Sequence, residues 1–468
     1  MPILEQNDKK PMASRRKFFK QATAVSLGFA GLHSFMGCAN PALQSIATPP
    51  LVADPLKVLS LPDGFSYKVI SKAGNQMIDG FRVPYAPDGM ATFDGPDDLT
   101  IIVRNHEVGL QTGAGAYGPE NALFANIDPT LLYDAGFGKT PSLGGTSTIV
   151  YDTKKQEVVR EFLSLAGTIR NCAGGPTPWS SWITCEESTE RAGKNTEKDH
   201  GYNFEVPATL EPAIAAPVPL KAMGRFNHEA VAVEPESGIV YQTEDRHDGL
   251  IYRFIPDVPG QLAEGGKLQA LAVIGQDSMD TRNWESDATV RLGEQLPVRW
   301  VDLDNVEAPD DDLRYRGYAT GAARFARGEG MWYGDNTIFF ACTNGGIAKK
   351  GQIWKYVPSA AEGTPQENDN PGYLELFVEP NDREIVENAD NLTIAPWGDL
   401  FVCEDGDGKQ NLLRVTPAGE VIRFGTNMIS ESEFAGSTFS PDGTTLFVNI
   451  QGDGLTLAIT GPWEQFSG

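Results

Sequence analysis

Acidic residues and one cysteine recur along this chain at a spacing that suits metal binding. In four segments, a residue able to ligate a metal precedes a second cluster by 13 to 15 positions. These pairs are Cys172 with Cys185, Glu229 with Glu244, Glu329 with Thr343, and Asp390 with Glu404. Three of the intervening segments, 231–241, 331–340 and 392–402, are apolar with Pro, Gly, Asn or Asp near their centres, which is typical of β-hairpins. Each pair is therefore predicted to lie at one rim of a sheet, at the start of one strand and the end of the next.

Such rims bring their carboxylates together only if cations compensate the charge. Carboxylates a few ångströms apart raise each other's pKa until protons or metals neutralise them. Oxygen ligands favour Ca²⁺ or Mg²⁺, whereas a single thiolate admits a softer ion such as iron or zinc. The sequence therefore predicts a metal centre, without assigning its two nearby histidines to a metal. The predicted convergent set is Cys172, Glu187, Glu229, Glu244, Glu329, Asp390 and Glu404, with Asn105, His106, Glu107 and His228 close by.

An internal repeat would position these residues. Each copy has an apolar strand, a small or acidic cluster, a Gly-containing loop and an alternating strand. Six similar units predict an all-β, six-bladed propeller with long irregular insertions, in which equivalent rims meet at the central channel. The acidic stretch 282–318 is predicted to be one insertion. The copies are 181–207, 240–256, 339–358 and 400–417, with degenerate ones at 100–109 with 145–153 and at 446–460.

The cysteines leave two interpretations open. Exported proteins tolerate disulfides, so bridges between Cys172 and Cys185 or between Cys342 and Cys403 are one possibility. The other is that Cys185, Cys342 and Cys403 are buried thiols, and we favour it. Cys172 then stands apart, because it occupies the position that carboxylates hold in the other repeats.

The N-terminus resembles an export signal. Paired arginines in SRRKFFK (14–20) precede the apolar run 22–35, which is too short and too weakly apolar for a stable membrane span. This pattern predicts a twin-arginine signal peptide over 1–37, a linker over 38–58 and a single catalytic propeller over 59–468, in the periplasm or outside the cell. The segment Phe35-Met36-Gly37-Cys38 partly matches a lipoprotein cleavage box, which leaves a lipid anchor at Cys38 open.

The overall charge limits the partners. The chain carries a formal charge of −25, and removal of 1–37, with six cations and two anions, makes it more negative still. So acidic a protein is not expected to bind nucleic acid or an anionic membrane surface specifically. We expect a monomer that acts on small molecules.

Five motifs resemble those of the PhoX alkaline phosphatases. They are NCAGGPTPWSSWITCEE (171–187), GRFNHEA (224–230), ARGEGMW (326–332), ENADNL (387–392) and FVCEDG (401–406). The resemblance runs from about Leu59 to the C-terminus. It implies a six-bladed propeller whose channel mouth holds two ferric ions and calcium ions joined by an oxo bridge, with a cysteine thiolate on iron.

Carried over residue by residue, this resemblance implies a ligand set and two phosphate-binding side chains. Cys172, Glu229, Glu329 and Asp390 would ligate the iron–calcium core, and Glu187 and Glu404 would ligate calcium. Strict repeat register would select Glu186 instead of Glu187. Arg327 and Asn105 would hold the phosphate oxygens.

The expected function is an exported alkaline phosphatase that hydrolyses phosphomonoesters at an iron–calcium (Fe³⁺, Ca²⁺) cluster and releases inorganic phosphate. Two alternatives are a calcium-only propeller hydrolase of the phytase or lactonase kind, and a non-catalytic lipid-anchored propeller. Cys172 distinguishes the first alternative, because a calcium-only site has little use for a thiolate.

Overall fold

The computed structural model describes residues 46–47, 50–110 and 115–466, with 46–47 as backbone alone. The predicted signal peptide, Cys38 and the first part of the predicted linker lie outside these ranges. None of the helices within them has the length and apolar character needed to cross a bilayer.

The regular secondary structure of the described chain is almost entirely β-strand. Its one α-helix, α1, covers Leu313–Ala319, and short 3₁₀ turns lie between strands. The strands up to residue 207 are β1 (Ile46–Ala47), β2 (Leu51–Val52), β3 (Leu59–Pro62), β4 (Ser66–Lys72), β5 (Pro87–Asp94), β6 (Leu99–His106), β7 (Gly144–Asp152), β8 (Glu157–Thr168), β9 (Asn171–Pro176), β10 (Ser181–Glu186) and β11 (Asn203–Pro207).

The remaining strands follow the same pattern of short antiparallel neighbours. They are β12 (His228–Val233), β13 (Val240–Glu244), β14 (Ile251–Pro256), β15 (Gly266–Val273), β16 (Gln295–Asp302), β17 (Gly328–Gly334), β18 (Thr337–Cys342), β19 (Gln352–Val357), β20 (Tyr373–Val378), β21 (Ala389–Ile394), β22 (Leu400–Glu404), β23 (Asn411–Val415), β24 (Val421–Asn427), β25 (Phe434–Phe439), β26 (Thr445–Ile450) and β27 (Leu455–Thr460).

These strands form five sheets in a propeller-like arrangement. Four of the sheets have the strand orders β5-β6-β7-β8, β9-β10-β11, β25-β26-β27-β4 and β2-β3-β24-β23-β22-β21, with β1 beside β24. The fifth is a nine-stranded sheet in the order β12-β13-β14-β15-β16-β20-β19-β18-β17. Because β4 pairs with β27, an N-terminal strand completes the C-terminal sheet and joins the two ends of the fold.

Six inner strands meet around a common axis. Neighbours contact one another in the cyclic order β5, β9, β12, β17, β21, β25 and back to β5. Glycines permit this close approach: a Cβ at Gly89 would lie 2.6 Å from the Cα of Ala173, and one at Gly330 would lie 2.7 Å from the Cα of Asn391. Many of the other strands are buried on both faces, because each sheet packs against the next. Thr445–Ile450 is an example, with all six residues buried and a mainly apolar sequence.

The all-β class and the predicted hairpins are confirmed. Segments 231–241, 331–340 and 392–402 form β12–β13, β17–β18 and β21–β22. Asp335 and Asn336 turn the second hairpin with φ of 48° and 56°, values that Asn and Asp tolerate. The prediction for 282–318 was wrong in part, because this stretch contains strand β16, which pairs with β15 and β20.

Candidate metal centre

One register repeats at the channel end of the six inner hairpins. In each hairpin the first residue of the inner strand pairs with the last residue of the next strand. The Cα partners are Pro87 with His106, Asn171 with Glu186, His228 with Glu244, Gly328 with Cys342, Ala389 with Glu404, and Phe434 with Ile450.

The residues directly after these partners form two rings, which we call the inner ring and the rim ring. The pairing register shifts beside this position in all six hairpins, and such bulges re-aim side chains. The inner ring is Asp88, Cys172, Glu229, Glu329, Asp390 and Ala435, and the rim ring is Glu107, Glu187, Asp245, Thr343, Asp405 and Gln451.

Members of the two rings, together with Glu433, form a chain of overlapping groups that could hold metal ions. Within each group the ligand atoms lie within 4.8 Å of one another. Consecutive groups share Cys172, Glu229 or Asp390, so several ions could lie side by side. The groups are Asp88, Glu107 and Cys172; Cys172, Glu187 and Glu229; Glu229, Glu329 and Asp390; and Asp390, Asp405 and Glu433. The structure thus brings together five of the six predicted ligands, Cys172, Glu187, Glu229, Glu329 and Asp390.

Glu229 tests whether this set fits a metal. Its side chain is fully buried, and neither Oε1 nor Oε2 has a hydrogen-bond partner. An ionised carboxylate in that position is strongly unfavourable unless a proton or a cation compensates it. The thiol and carboxyl groups of Cys172, Glu187, Glu329 and Asp390 lie next to it. The donor set therefore fits bound cations.

The pKa values of the ring carboxyls reflect the same crowding. Burial, followed by repulsion from neighbouring acids, raises the pKa of Glu187 and of Asp390 to about 7. The same causes raise the pKa values of Asp88, Glu229 and Glu329 well above their usual range. Burial and the nearby carboxylates Asp88 and Glu229 also raise the pKa of the Cys172 thiol. A raised pKa means that a carboxyl or thiol group holds its proton more tightly. Bound cations would displace those protons.

Glu404 is a correction to the predicted ligand set. Its Oε1 accepts from the Glu387 amide at 2.8 Å, its Oε2 accepts from Asn411 Nδ2 at 2.8 Å, and it belongs to none of the four groups. Successive residues of a strand point to opposite sides, so Asp405 faces the channel instead.

The same alternation decides two further residues. Glu186 accepts from the Gly201 amide at 2.8 Å and contacts His200 Nδ1 at 2.6 Å. Glu187, and not Glu186, therefore lies in a ligand group. The family resemblance implied Glu187, whereas strict repeat register selected Glu186. Glu244, which was also predicted to converge, accepts instead from the Tyr252 hydroxyl at 2.7 Å. Glu186 and Glu244 therefore make hydrogen bonds within the protein and belong to none of the four ligand groups.

Asn105 is a second correction. Its side chain is fully buried; Nδ2 donates to the carbonyls of Cys172 at 3.1 Å and Ala173 at 2.6 Å, and Oδ1 accepts from Trp182 Nε1 at 2.8 Å. With its amide engaged in this way, Asn105 fixes the backbone at Cys172 and has no group left for phosphate.

Arg327, which was predicted to hold phosphate oxygens, lies beside carboxylates of both rings. Nε donates to Asp245 Oδ1 at 2.7 Å and Nη2 donates to Asp245 Oδ2 at 2.8 Å, a bidentate pair. Nη2 also donates to Glu329 Oε1 at 2.8 Å. The side chain remains 29% exposed. Asp245 thus holds a guanidinium beside the carboxylate groups.

Sequence reasoning missed three of the grouped residues, Asp88, Asp405 and Glu433, and named Glu107 only as a residue close to the predicted set. The first hairpin was assembled from 100–109 and 145–153, so its true inner strand β5, with Asp88, was overlooked. Asp405 was detectable from the period-two alternation after Glu404. Glu433 precedes β25 and has no signal in the repeat, because Ala435 replaces an acidic residue there.

The cysteines form neither of the two possible disulfides, and His106 and His228 contact neighbouring protein groups. Cys172, Cys185, Cys342 and Cys403 are all buried free thiols, so neither disulfide considered above is present. His106 Nε2 lies 2.8 Å from Ser147 Oγ. His228 Nε2 lies 3.1 Å from the Gly224 carbonyl, and its ring stacks on Phe226.

Comparison with known proteins identifies a family whose sequence model matches this chain. A sequence model described as alkaline phosphatase PhoX matches residues 46–129 and 140–454. Curated protein sequences give no match.

Several solved structures resemble this chain to different degrees, and the first named here shares its fold. One is Pseudomonas fluorescens PhoX in complex with vanadate, a transition state analogue, at 19% identity and a TM-score of 0.64, covering 86% of this chain and 96% of that one. Xanthomonas campestris XC5397, a gluconolactonase, has 12% identity and a TM-score of 0.38, covering 91% and 99%. A luciferin-regenerating enzyme has 10% identity and a TM-score of 0.40, covering 85% and 96%.

Proposed function

This chain belongs to the PhoX alkaline phosphatase family, and from that premise we propose that it hydrolyses phosphomonoesters at a metal cluster held by the inner and rim rings. It is a phosphatase by family, and the further step concerns the site. Its substrates would be small phosphomonoesters, and inorganic phosphate would be released.

The observation that carries this proposal is the carboxylate of Glu229, buried without a donor at the centre of the overlapping groups. Keeping this carboxylate ionised without a counter-charge would cost several kcal/mol, a large share of a fold stability of about 5–15 kcal/mol. A cluster of cations provides that counter-charge and also attracts a dianionic phosphate. The acidic ring and the phosphate substrate are then compatible.

We infer the kinds of metal from the ligand chemistry. Cys172 would hold iron, because its thiolate is a soft ligand among oxygen donors. The all-oxygen group of Asp390, Asp405 and Glu433 suits calcium. Asp88, Glu107, Glu187, Glu229 and Glu329 would complete the cluster.

When bound, such cations neutralise phosphate oxygens, activate an oxygen nucleophile and stabilise the leaving alkoxide. The polypeptide supplies the remaining functions. Arg327 presents a guanidinium whose Nε and Nη2 are fixed by Asp245, so its exposed edge can hold a phosphate oxygen as charge develops in the transition state. Asn105 and Trp182 fix the backbone that carries Cys172.

We also propose that the arrangement is a six-bladed propeller. The cyclic contacts of six inner strands and the sixfold pairing register support this count. In this interpretation the nine-stranded sheet comprises two adjacent blades, β12–β15 and β17–β20, joined by β16.

Export by the twin-arginine route to the periplasm or beyond, a possible lipid anchor on Cys38 and a monomeric state remain proposals from the sequence. The basic pair Arg15-Arg16 with the apolar run after it supports the first of these.

An assay of the purified protein tests the proposed function. We expect hydrolysis of p-nitrophenyl phosphate that is abolished by prolonged chelation and restored by iron with calcium. Cys172→Ser should lose activity, whereas Cys342→Ser, at a buried thiol that belongs to none of the four ligand groups, should retain it.

Two results would favour the alternatives. Full activity of Cys172→Ser with calcium alone would favour a calcium-only hydrolase. No activity with both metals supplied during expression would favour a non-catalytic propeller.

A further inference from the structure

The inner and rim rings are accompanied by a third ring of equivalent residues, which lie two positions before the inner ring. In each hairpin the carbonyl of this residue accepts a hydrogen bond from the rim-ring amide, over 2.9–3.2 Å. The sixfold backbone bond shows that these positions are structurally equivalent. The six residues are Ala86, Arg170, Asn227, Arg327, Asn388 and Glu433.

Arg170 is therefore the counterpart of Arg327, two hairpins away. Both residues adopt the left-handed conformation, with φ of 48° and 56°. The Arg170 amide donates to the Val108 carbonyl at 3.1 Å, and the Arg327 amide donates to the Arg246 carbonyl at 2.9 Å. Each of these carbonyls belongs to the residue that follows the rim-ring residue of the preceding hairpin. Non-glycine residues in this conformation cost stability and cluster at functional sites.

The two side chains make matching contacts. Arg170 Nε donates to the Glu187 carbonyl at 3.1 Å, and its Nη2 contacts Glu187 Oε2 and lies 2.6 Å from Glu107 Oε1. Arg327 also contacts two ring carboxylates, Asp245 through Nε and Nη2 and Glu329 through Nη2. In both arginines Nη1 has no hydrogen-bond partner within the described residues. Each guanidinium is thus anchored on one edge and free on the other.

Arg170 and Arg327 precede the two inner strands that lie on either side of the strand carrying Glu229. Inner strands β9 and β17, which follow Arg170 and Arg327, both contact β12, the strand that carries Glu229. Arg170 is 44% exposed, more than either carboxylate it contacts, at 15% and 12%. A free guanidinium edge at the mouth is suited to bind a phosphate oxygen.

We propose that Arg170 binds the phosphate group of the substrate together with Arg327, from the opposite side of Glu229. This inference rests on the proposed phosphatase function and adds a second substrate-binding arginine to it. Asn227, the equivalent residue between them, donates from Nδ2 to Glu187 Oε1 at 2.9 Å and to the Asp245 carbonyl at 3.1 Å. It therefore braces the carboxylates that anchor the two arginines.

The test compares Arg170→Gln, Arg170→Lys and a control, Arg191→Gln. Arg191 is 50% exposed, also pairs with an aspartate, and lies in the loop that follows Glu187. For each metal-loaded variant we would measure the metal content, kcat and KM for p-nitrophenyl phosphate, and the calorimetric affinity for inorganic phosphate.

We expect Arg170→Gln to lower kcat/KM by at least tenfold and to weaken phosphate binding by a similar factor, with metal content unchanged. Arg170→Lys keeps the charge but loses the fork, so its losses should be smaller. Arg191→Gln should match the wild type.

Phosphate affinity of Arg170→Gln within twofold of the wild type would overturn the inference, as would losses that follow metal content alone. A wild type that binds phosphate but hydrolyses no ester would instead overturn the proposed function. If Arg170→Gln does not fold, Arg170→Lys decides through the same phosphate affinity.

Discussion

Replacement of Asp245 by asparagine tests whether the Arg327 guanidinium must be held in place. Asp245 accepts from Nε at 2.7 Å and from Nη2 at 2.8 Å, and its side chain is 11% exposed. Asparagine retains one acceptor, loses the charge and presents an NH₂ group to Nη2. Hydrogen bonds to charged groups contribute about 1.5–3 kcal/mol, so the fixed orientation should lose most of that amount.

At about 1.4 kcal/mol per tenfold change, we expect kcat/KM to fall by about 10- to 100-fold. The decrease should appear mainly in kcat, because the ordered guanidinium matters most where charge develops. Steady-state kinetics with p-nitrophenyl phosphate, alongside metal analysis, would measure it. Asp245→Glu should recover part of the loss.

The matched control is Asp280→Asn. Asp280 forms a similar fork with Arg282, at 2.8 and 2.7 Å, but lies outside the inner and rim rings. It should lower stability and leave kcat/KM within twofold of the wild type. Equal effects of the two substitutions on kcat/KM, or no effect of Asp245→Asn, would refute the reasoning.

Three further predictions concern the rings and their supports. Glu229→Gln should reduce bound metal but leave the free energy of unfolding of the chelated protein within about 1 kcal/mol of the wild type, because burial already favours the neutral, protonated form of Glu229; metal analysis and thermal scans with chelator would show both. Asp405→Asn should lower calcium content, whereas Glu404→Gln should lower stability and leave metal content intact, as elemental analysis and urea unfolding would report. Burial would lower the pKa of His200, but Glu186 and Asp134 raise it to about 9, above the unfolded value of about 6.5. Its stabilisation, about 3 kcal/mol, should be complete below pH 6.5 and lost as the pH rises through 9, so unfolding curves of the wild type and His200→Gln should converge at high pH.

Much of the fold followed from the sequence because the repeat combines two local signals. Apolar strands with period-two alternation and turn residues such as Asp335-Asn336 predict hairpins wherever they occur. The inner-ring positions Cys172, Glu229 and Glu329 were found by aligning those hairpins. Strand β16 was missed because a long loop, 274–294, separates it from β15 and its other partner, β20, is remote in sequence.

The choice between adjacent carboxylates was harder. Period-two alternation places Glu404 and Asp405 on opposite sides of their strand, so Asp405 was a detectable alternative. Which of the two sides faces the site is decided by tertiary packing, which the local sequence pattern does not contain. Asn105 was misjudged for a related reason, since its hydrogen bonds to the Cys172 and Ala173 carbonyls come from a neighbouring hairpin.

Elemental analysis of the purified wild-type protein, together with its visible absorption spectrum, tests the central claim most directly. We predict that iron and calcium are both present and that the protein is coloured through Cys172 ligation. A colourless protein that holds calcium without iron, or a fully active protein without metal, would contradict the account.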